Sequence, residues 1–264
     1  MTTVINIDKS LSPIYIVSIN RPHRKNAVDR ATAIALHDAF RQFDQDDTFS
    51  VAILQGLGNT FCAGADLKAM MQNGKRDEKT GNPMNEDMNE IAPMGCTRLQ
   101  LSKPVIAAIS GHAVAGGLEL AIWCDLRVAD STAKFGVFCR MRGVPLIDGG
   151  TVRLPRLIGL SAASDMILTG REITADEAKQ INLINYLTKS GAKNAAFDEA
   201  LRVARLIASH PQTCLRNDRQ SMLRNMNQHS ELEMMAHEFK FGVDTLQAKG
   251  FGVDVQKFLD RSKL

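Results

Sequence analysis

Residues 110–130 restrict the possible folds more than any other stretch of the chain. They follow residues 104–109, an apolar run with the length and branched side chains of a buried strand. Three glycines then interrupt the chain: Gly111, Gly116 and Gly117. Residues 118–123 are apolar on nearly every side, with one exception, as in a helix that is buried inside a domain. A strand, a glycine corner and a buried helix in succession predict a layered α/β core.

The exception is Glu119, which lies one turn into the predicted helix. Burying a carboxylate in apolar surroundings is costly, so its pKa should exceed that of a free glutamate, and Glu119 is a candidate acid or base. The glycines would let a ligand approach unpaired N–H groups at the helix N-terminus, where negative charge is favoured. An oxyanion site beside such a carboxylate suits proton transfer at a thioester. The stretch fits equally a buried strand–helix corner whose glutamate forms a structural ion pair.

A second corner of small residues lies earlier in the chain. Residues 50–55 have the pattern of a strand and run into a turn at residues 56–59. The next segment leads into a helix and reads Thr60-Phe61-Cys62-Ala63-Gly64-Ala65-Asp66-Leu67-Lys68. Its small residues would let a ligand lie against the backbone, and Asp66 suits the first helical turn. By itself this motif is weak, because small residues also allow simple close packing.

A third candidate segment is the loop at residues 143–151, where Asp148 stands before Gly149 and Gly150. A carboxylate in this position fits either of two roles. It can cap the N-terminus of the following helix, or it can act in catalysis. The loop sequence leaves both roles open.

The remaining elements give the order of the fold. Residues 14–19 have the pattern of a strand, and Asp29 is predicted to cap the helix that follows. From Thr174 onward the pattern is helical, beginning with a capping box at residues 174–177. Further helices are predicted at residues 197–210, 215–227 and 232–247. Strand, corner and helix units followed by a helical tail predict an α/β core with a C-terminal helical appendage.

Composition and charge argue against several classes of protein. A chain of 264 residues can bury one sizeable core, so we expect one large domain, alone or with a short appendage. A net charge of +3 gives no electrostatic reason to expect nucleic acid or an anionic membrane as a partner. Five cysteines without close paired spacing indicate free thiols in a reducing compartment and argue against a zinc site. No membrane span or targeting peptide is recognisable, so we expect a soluble intracellular protein.

Together, the two corners resemble the crotonase, or enoyl-CoA hydratase/isomerase, superfamily. The resemblance is carried by the motifs Phe61-Cys62-Ala63-Gly64-Ala65-Asp66-Leu67-Lys68, Gly111-His112-Ala113-Val114-Ala115-Gly116-Gly117-Leu118-Glu119-Leu120 and Cys124-Asp125. It extends over the chain from Asn20-Arg21-Pro22 to Phe258-Leu259-Asp260-Arg261. It implies a spiral of repeated ββα units, with a core at residues 1–195 that binds a CoA thioester. It also implies a C-terminal helical region at residues 196–264 that builds trimers, often paired into hexamers.

The resemblance also implies roles for particular residues. The backbone N–H groups of Ala65 and Gly116 would hold the thioester oxygen as it becomes an enolate. Further residues would line the path of the substrate: Ala27, Ala63, Asp66, Leu67 and Lys68. Lys68 is equally consistent with a solvated helix residue. The family needs no metal and no cofactor besides the coenzyme A that is part of the substrate.

One position departs from the family pattern. Hydratases of this family use two glutamates, and Glu119 fills the first position. The second falls at Cys139, and a neutral thiol is a poor substitute for a carboxylic acid. Asp148 is the nearest candidate replacement, since a relative with dienoyl isomerase activity uses an aspartate in about that region. We therefore predict that Asp148, and not Cys139, is the second group that gains and loses a proton during the reaction.

The default prediction is reversible hydration of a 2-enoyl-CoA in fatty acid metabolism, by a lyase. Isomerisation of the double bond by a single base is the first alternative, because the second glutamate is missing. A non-catalytic acyl-CoA binder is the second alternative. RNA binding, which a family member performs through a row of lysines, is disfavoured because the helix at residues 30–43 carries Arg30 and Arg41 but no such row.

The expected partners and location follow from the same resemblance. We expect an acyl-CoA substrate, no nucleic acid, no membrane, and a homotrimer or a dimer of trimers. We expect a cytoplasmic protein. The last residues, Ser262-Lys263-Leu264, spell a peroxisomal address and give the alternative location.

Overall fold

The computed structural model describes residues 3–72, 75–76, 79–189, 192–226, 235–236 and 239–244. Its strands are β1 (Ile5–Asp8), β2 (Ile14–Ile19), β3 (Val51–Gly56), β4 (Met71–Gln72), β5 (Lys75–Arg76), β6 (Val105–Ile109), β7 (His112–Val114), β8 (Leu126–Asp130), β9 (Lys134–Gly136), β10 (Ile173–Thr174) and β11 (Tyr186–Thr188). Its α-helices are α1 (Arg30–Gln45), α2 (Leu67–Met70), α3 (Gly116–Trp123), α4 (Gly150–Ile158), α5 (Leu160–Thr169), α6 (Ala175–Gln180), α7 (Ala195–Ala208) and α8 (Gln212–Asn225). Short 3-10 helices lie at Pro22–Arg24 and Phe138–Arg142. The predicted α/β class is confirmed.

The largest sheet has the strand order β1-β2-β3-β6-β8-β11. β1 and β2 pair antiparallel, and the other neighbours pair parallel. β2 and β6 are buried along their whole length, because helices cover both faces of the parallel strands. On one face Tyr15 of β2 shares a core cluster with Phe40 of α1. On the other face Ile16 of β2 shares a second cluster with Val203 of α7.

A smaller sheet has the order β10-β9-β7 and explains how the corners arise. The chain passes from β6 in the large sheet to β7 in the small sheet, and α3 follows. It passes again from β8 to β9, and α4 follows after the 3-10 helix. The earlier corner has a similar plan, since β3 leads to Cys62, which pairs with Ala113 of β7 before α2 begins. The predicted repetition of ββα units is therefore confirmed.

Local signals located most of the described helices. Asp29 caps α1 by accepting a hydrogen bond from the Thr32 N–H, and Thr174 caps α6 by accepting from the Glu177 N–H. The predicted capping box is only half formed, because the Glu177 carboxylate pairs with Arg171 at 3.0 Å. α8 begins earlier than predicted, directly after Pro211, because the fixed φ of proline suits the start of a helix.

Some predictions concern residues that lie partly or wholly outside the described part of the chain. Of the helix predicted at residues 232–247, residues 235–236 and 239–244 are described, and they are helical. The tail motif at residues 258–261 and the tripeptide at residues 262–264 lie outside the described residues. The division of the chain at residue 195 stays a prediction.

Three further observations concern the cysteines, membrane-spanning helices and metal-binding clusters. All five cysteines are free thiols, and Cys214 is the exposed one. Among the described helices, none has the length and apolar character needed to cross a bilayer. The described residues contain no cluster of three or more His, Cys, Asp or Glu side chains that could hold a metal ion.

Candidate active site

The two small-residue corners pack directly against each other. The Cys62 N–H donates to the His112 carbonyl at 2.9 Å, and the Val114 N–H donates to the Cys62 carbonyl at 3.2 Å. No side chain fits at Gly117, because a Cβ there would lie 2.1 Å from the Cys62 carbonyl oxygen. The corners, which were predicted from separate stretches of sequence, therefore form one continuous surface.

Ala65 and Gly116 line the same cavity at this junction. Val28 pairs with the backbone on either side of Ala65, through the Gly64 carbonyl and the Asp66 N–H, each at 2.8 Å. This pairing turns the Ala65 N–H to the opposite side. Gly116 begins α3, so its N–H has no acceptor within the helix. Within the described residues neither N–H donates to a protein acceptor, so both can stabilise negative charge on a ligand oxygen.

The turn into α3 has an unusual backbone at Ala115, with φ 53° and ψ −127°. A side chain in the positive-φ region costs on the order of 1–3 kcal/mol unless the surrounding structure holds it. Here the Ala115 N–H donates to the Gly136 carbonyl of β9 at 2.9 Å. This feature was not predicted, because an alanine that follows Val114 and precedes Gly116 gives no sequence signal of a strained residue.

The cavity has a volume of about 350 Å³. Many of the side chains that line it are apolar, and four of these are methionines: Met70, Met84, Met94 and Met141. The predicted site residues on its walls are Ala63, Ala65, Leu67, Gly116, Glu119 and Asp148. Cys139 lines the cavity as well.

Three residues predicted to line the substrate path are not among the cavity-lining residues: Ala27, Asp66 and Lys68. The Asp66 carboxylate binds the Arg21 guanidinium at 2.9 Å and also caps α2. Ala27 is buried, and its carbonyl accepts a hydrogen bond from Arg21. Lys68 is exposed. The Asp66 oxygens are therefore taken by an ion pair and by the helix N-terminus, and the prediction that Asp66 lines the substrate path stays a prediction.

Glu119 is 2% exposed and points from α3 to the start of α4. Its Oε1 accepts hydrogen bonds from the N–H groups of Asp148 and Gly150, each at 2.8 Å. Burial, followed by the negative charge of Asp148, raises the pKa of Glu119 to about 7. None of the ion pairs among the described residues includes Glu119, so the alternative of a structural ion pair is not found. Its pKa suits a group that accepts and returns a proton near neutral pH.

Asp148 is the second carboxyl group among the cavity-lining residues. It is 5% exposed, and its Oδ1 accepts hydrogen bonds from the Met94 N–H at 2.9 Å and from the Thr97 hydroxyl. Burial raises the pKa of Asp148 above its ordinary value, although these hydrogen bonds oppose the rise. The helix-cap alternative is not found, because Gly149 is the N-cap of α4 and the Asp148 carboxylate points to residues 94–97.

Cys139 lies in the 3-10 helix Phe138–Arg142, where the resemblance places the second glutamate. Burial, with a further contribution from the charge of Glu119, raises the pKa of the thiol. The thiol therefore stays protonated at neutral pH and is a poor proton acceptor.

Sequence reasoning missed two groups that shape the site. Met94 lies against Gly116, since a Cβ at that glycine would be 2.6 Å from the Met94 sulfur. Arg153 donates to the carbonyls of Asp148 at 2.8 Å and Thr97 at 2.7 Å. No local signal identified Met94, whereas the position of Arg153 just after the Asp148 loop was a signal that could have been used.

The chain matches known proteins over almost its whole length. A sequence profile described as "Enoyl-CoA hydratase/isomerase" matches residues 10–264. Enoyl-CoA hydratase EchA19 of Mycobacterium tuberculosis is 35% identical over 230 residues, which cover 87% of this chain and 82% of that protein. The 2,3-dehydroadipyl-CoA hydratase of Escherichia coli is 33% identical over 210 residues, or 79% of this chain and 78% of that protein.

Solved structures agree with this match. A crystal structure of an enoyl-CoA hydratase from Mycobacterium tuberculosis superposes with a TM-score of 0.85 and 32% identity, covering 98% of this chain and 97% of that one. Enoyl-CoA hydratase EchA1 from Mycobacterium marinum gives a TM-score of 0.85 and 30% identity, with coverage of 98% and 97%.

Proposed function

The chain belongs to the enoyl-CoA hydratase/isomerase family, and from this premise we propose that it is an enzyme that reversibly hydrates 2-enoyl-CoA thioesters. The observation that carries the proposal is the placement of Glu119 in the cavity that the free N–H groups of Ala65 and Gly116 also line. The pKa of Glu119, raised to about 7, fits the required proton transfers.

In the proposed reaction the thioester carbonyl oxygen accepts hydrogen bonds from the Ala65 and Gly116 N–H groups. Ionised Glu119 takes a proton from water while the water oxygen bonds to Cβ. The electron pair of the double bond then forms an enolate, whose negative oxygen faces the two N–H groups. Such donors typically stabilise a transition state by about 3–4 kcal/mol each. A carboxylic acid finally gives its proton to Cα and restores the carbonyl, so that H and OH have been added across the double bond. The proton that Glu119 took from water then passes to the conjugate base of that acid, which restores the starting state.

Asp148 is proposed as the acid that protonates Cα, and Cys139 as a packing residue. The proposal is supported by the place of Asp148 on the cavity wall and by its pKa, which burial raises. The backbone N–H of Asp148 binds Glu119, so the two carboxyl groups belong to one wall. Two neighbouring carboxyl groups with raised pKa values can share a proton, so that one serves as a base and the other as an acid.

Double-bond isomerisation remains the second candidate function, and the presence of Cys139 in place of a glutamate favours it. In that reaction a single base removes a proton from one carbon of the acyl chain and returns it to another. Glu119 alone has the pKa for both steps.

The proposed substrates carry apolar acyl chains. Leu67, Met84, Met141 and Ile147 line the cavity, and each of them is more than 40% exposed. Exposed apolar side chains around a cavity indicate a surface that an apolar ligand covers, and methionines adapt to ligands of different shape. We therefore expect 2-octenoyl-CoA to be preferred to 2,3-dehydroadipyl-CoA, whose chain ends in a carboxylate.

A panel of CoA thioesters tests the proposal, with the products identified by mass spectrometry. A gain of one water indicates hydration, whereas an unchanged mass with a new retention time indicates isomerisation. Glu119→Gln keeps the shape of the side chain but cannot carry a proton, so we expect turnover to fall by at least about two orders of magnitude while acyl-CoA binding is retained. Retention of most of the wild-type kcat by this variant would refute the proposed role of Glu119.

Assembly and location are also proposed on the basis of family membership. We propose a homotrimer or a dimer of trimers, which needs no cofactor beyond the coenzyme A of its substrate. The exposed apolar side chains of α5, Leu160 and Leu168, supply surface for subunit contact. We propose a cytoplasmic location. Import into peroxisomes of a reporter that carries the last three residues would contradict this location and favour a peroxisomal one.

A further inference from the structure

Arg153 of α4 connects two segments that are distant in sequence. Its Nη1 donates to the Asp148 carbonyl at 2.8 Å, and its Nη2 donates to the Thr97 carbonyl at 2.7 Å. The guanidinium is planar, so two bonds from its separate nitrogens fix both its position and its orientation. Arg153 therefore holds the loop before α4 against residues 94–97.

These two segments are the ones that bind the carboxyl groups of the site. At the end of the loop and the first residue of α4, the N–H groups of Asp148 and Gly150 donate to Glu119, each at 2.8 Å. On the other segment, the Thr97 hydroxyl donates to the Asp148 carboxylate. Arg153 thus contacts the residues that orient both carboxyl groups, although it is not itself among the cavity-lining residues.

The loop is shaped around this guanidinium. Gly149, the N-cap of α4, has φ 97°, in the region that favours glycine. A Cβ at Gly149 would lie 2.2 Å from Nη1 of Arg153. The glycine therefore leaves the space that the guanidinium occupies.

The groups around Glu119 give Arg153 a distinct electrostatic effect. The negative charge of Asp148 raises the pKa of Glu119, and the positive charge of Arg153 lowers it. Arg98 and Arg153 both lower the pKa of Asp148. Three thiols also lie near these charges: Cys96, Cys124 and Cys139. Burial raises the pKa of each of these thiols, so they are neutral at pH 7.

We propose that Arg153 is a positioning residue for the hydration proposed above, on which this inference rests: it fixes the loop whose N–H groups orient Glu119 in the cavity. Arg153 does not touch the reacting atoms and acts through Glu119 and Asp148. Its removal releases the loop and withdraws a positive charge from the carboxyl groups. Both effects are measurable, and the second separates this role from a merely structural one.

The test compares three variants on the best substrate of the thioester panel. Arg153→Met removes the charge and the hydrogen bonds, and Arg153→Lys keeps the charge but lacks the planar fork. Arg156→Met is the matched control, because Arg156 lies on the same helix and is exposed. Circular dichroism and thermal unfolding establish that each variant is folded, and the pH profile of kcat/KM is then measured.

For Arg153→Met we expect kcat to fall by about tenfold or more, as misplacement of a catalytic group does. The profile rises with pH as Glu119 ionises, and loss of the cation should move this rise upward by about half a pH unit or more. Arg153→Lys should restore the position of the rise and part of the rate, and Arg156→Met should match the wild type. An unmoved profile in folded Arg153→Met overturns the proposal.

Direct titration of Glu119 separates this inference from the proposed function. Glutamate labelled with ¹³C at the side-chain carboxyl gives a resonance for Glu119, which Glu119→Gln identifies by its loss. If the wild type hydrates no thioester, the proposed function fails, but the titration midpoint still decides the role of Arg153. A midpoint that rises in Arg153→Met supports the proposal, and an unchanged midpoint overturns it.

Discussion

At the scale of single residues, the burial of Glu119 links its reactivity to the stability of the fold. The sequence predicted that this glutamate would be buried with a raised pKa, and both are confirmed. Its partners could not be predicted, because the loop at residues 148–150 is joined to α3 only by tertiary packing. The same holds for Asp148, whose partners Met94 and Thr97 lie 54 and 51 residues away in the chain.

The raised pKa of Glu119 predicts a pH-dependent gain in stability for Glu119→Gln. The folded protein holds the proton up to about pH 7, whereas the unfolded chain releases it near the ordinary value of 4.5. Between these values the folded state binds more protons, so the wild type loses stability as pH rises. We expect the variant to be more stable than the wild type by about 3 kcal/mol at about pH 8, and to have no such advantage at about pH 4. Urea unfolding at both pH values measures the difference, and a pH-independent difference would contradict the expectation.

Kinetics of Asp148→Asn and Cys139→Ala distinguish the two candidates for the group that protonates Cα. We expect the aspartate variant to lose at least about two orders of magnitude in kcat, because the amide cannot donate a proton to Cα. The cysteine variant should lose little, since a buried neutral thiol contributes packing only. If Asp148→Asn is folded and retains the wild-type rate, Glu119 works alone, and isomerisation becomes the favoured reaction.

At the scale of elements, local patterns located strands and helices but did not reveal how they meet. β2 agrees with the sequence prediction, and Asp29 caps α1 as expected, because these features depend on neighbouring residues. The pairing of Cys62 with Ala113 joins residues from two separate units. Only the family resemblance predicted that the two corners share one site, since neither periodicity nor capping carries that information.

The junction of the corners predicts different costs for adjacent glycine substitutions. Gly117→Ala should lower the free energy of unfolding by about 3 kcal/mol or more, because its Cβ meets the backbone carbonyl of Cys62. Gly116→Ala should cost less, because its Cβ meets the flexible side chain of Met94, and Met94→Ala should restore part of the loss. Urea unfolding of the two single variants and the double variant tests this order. Equal costs for the two glycines would show that the corners are not packed in this way.

At the scale of the whole molecule, family membership predicts assembly into trimers. Leu160 and Leu168 are each 74% exposed on α5, so this helix supplies apolar surface that a neighbouring subunit would cover. Light scattering of the wild type should give the mass of three or six chains. Leu168→Asp should lower this mass if α5 lies at the contact. Met88→Asp is the control, because Met88 is 62% exposed but lies in the polar segment before residue 93, and it should leave the mass unchanged.

The common wall of Glu119 and Asp148 has a consequence for stereochemistry. A planar enoyl group offers two faces, and the hydrogen bonds from Ala65 and Gly116 would fix how its carbonyl lies in the cavity. The Asp148 backbone binds Glu119, so both carboxyl groups would meet the same face of the double bond. The hydroxyl at Cβ and the new hydrogen at Cα would then enter from one side. The enzyme would therefore form one enantiomer of a 3-hydroxyacyl product by syn addition. The chirality of this product would follow from the hydrogen bonds that join α3 to the loop before α4.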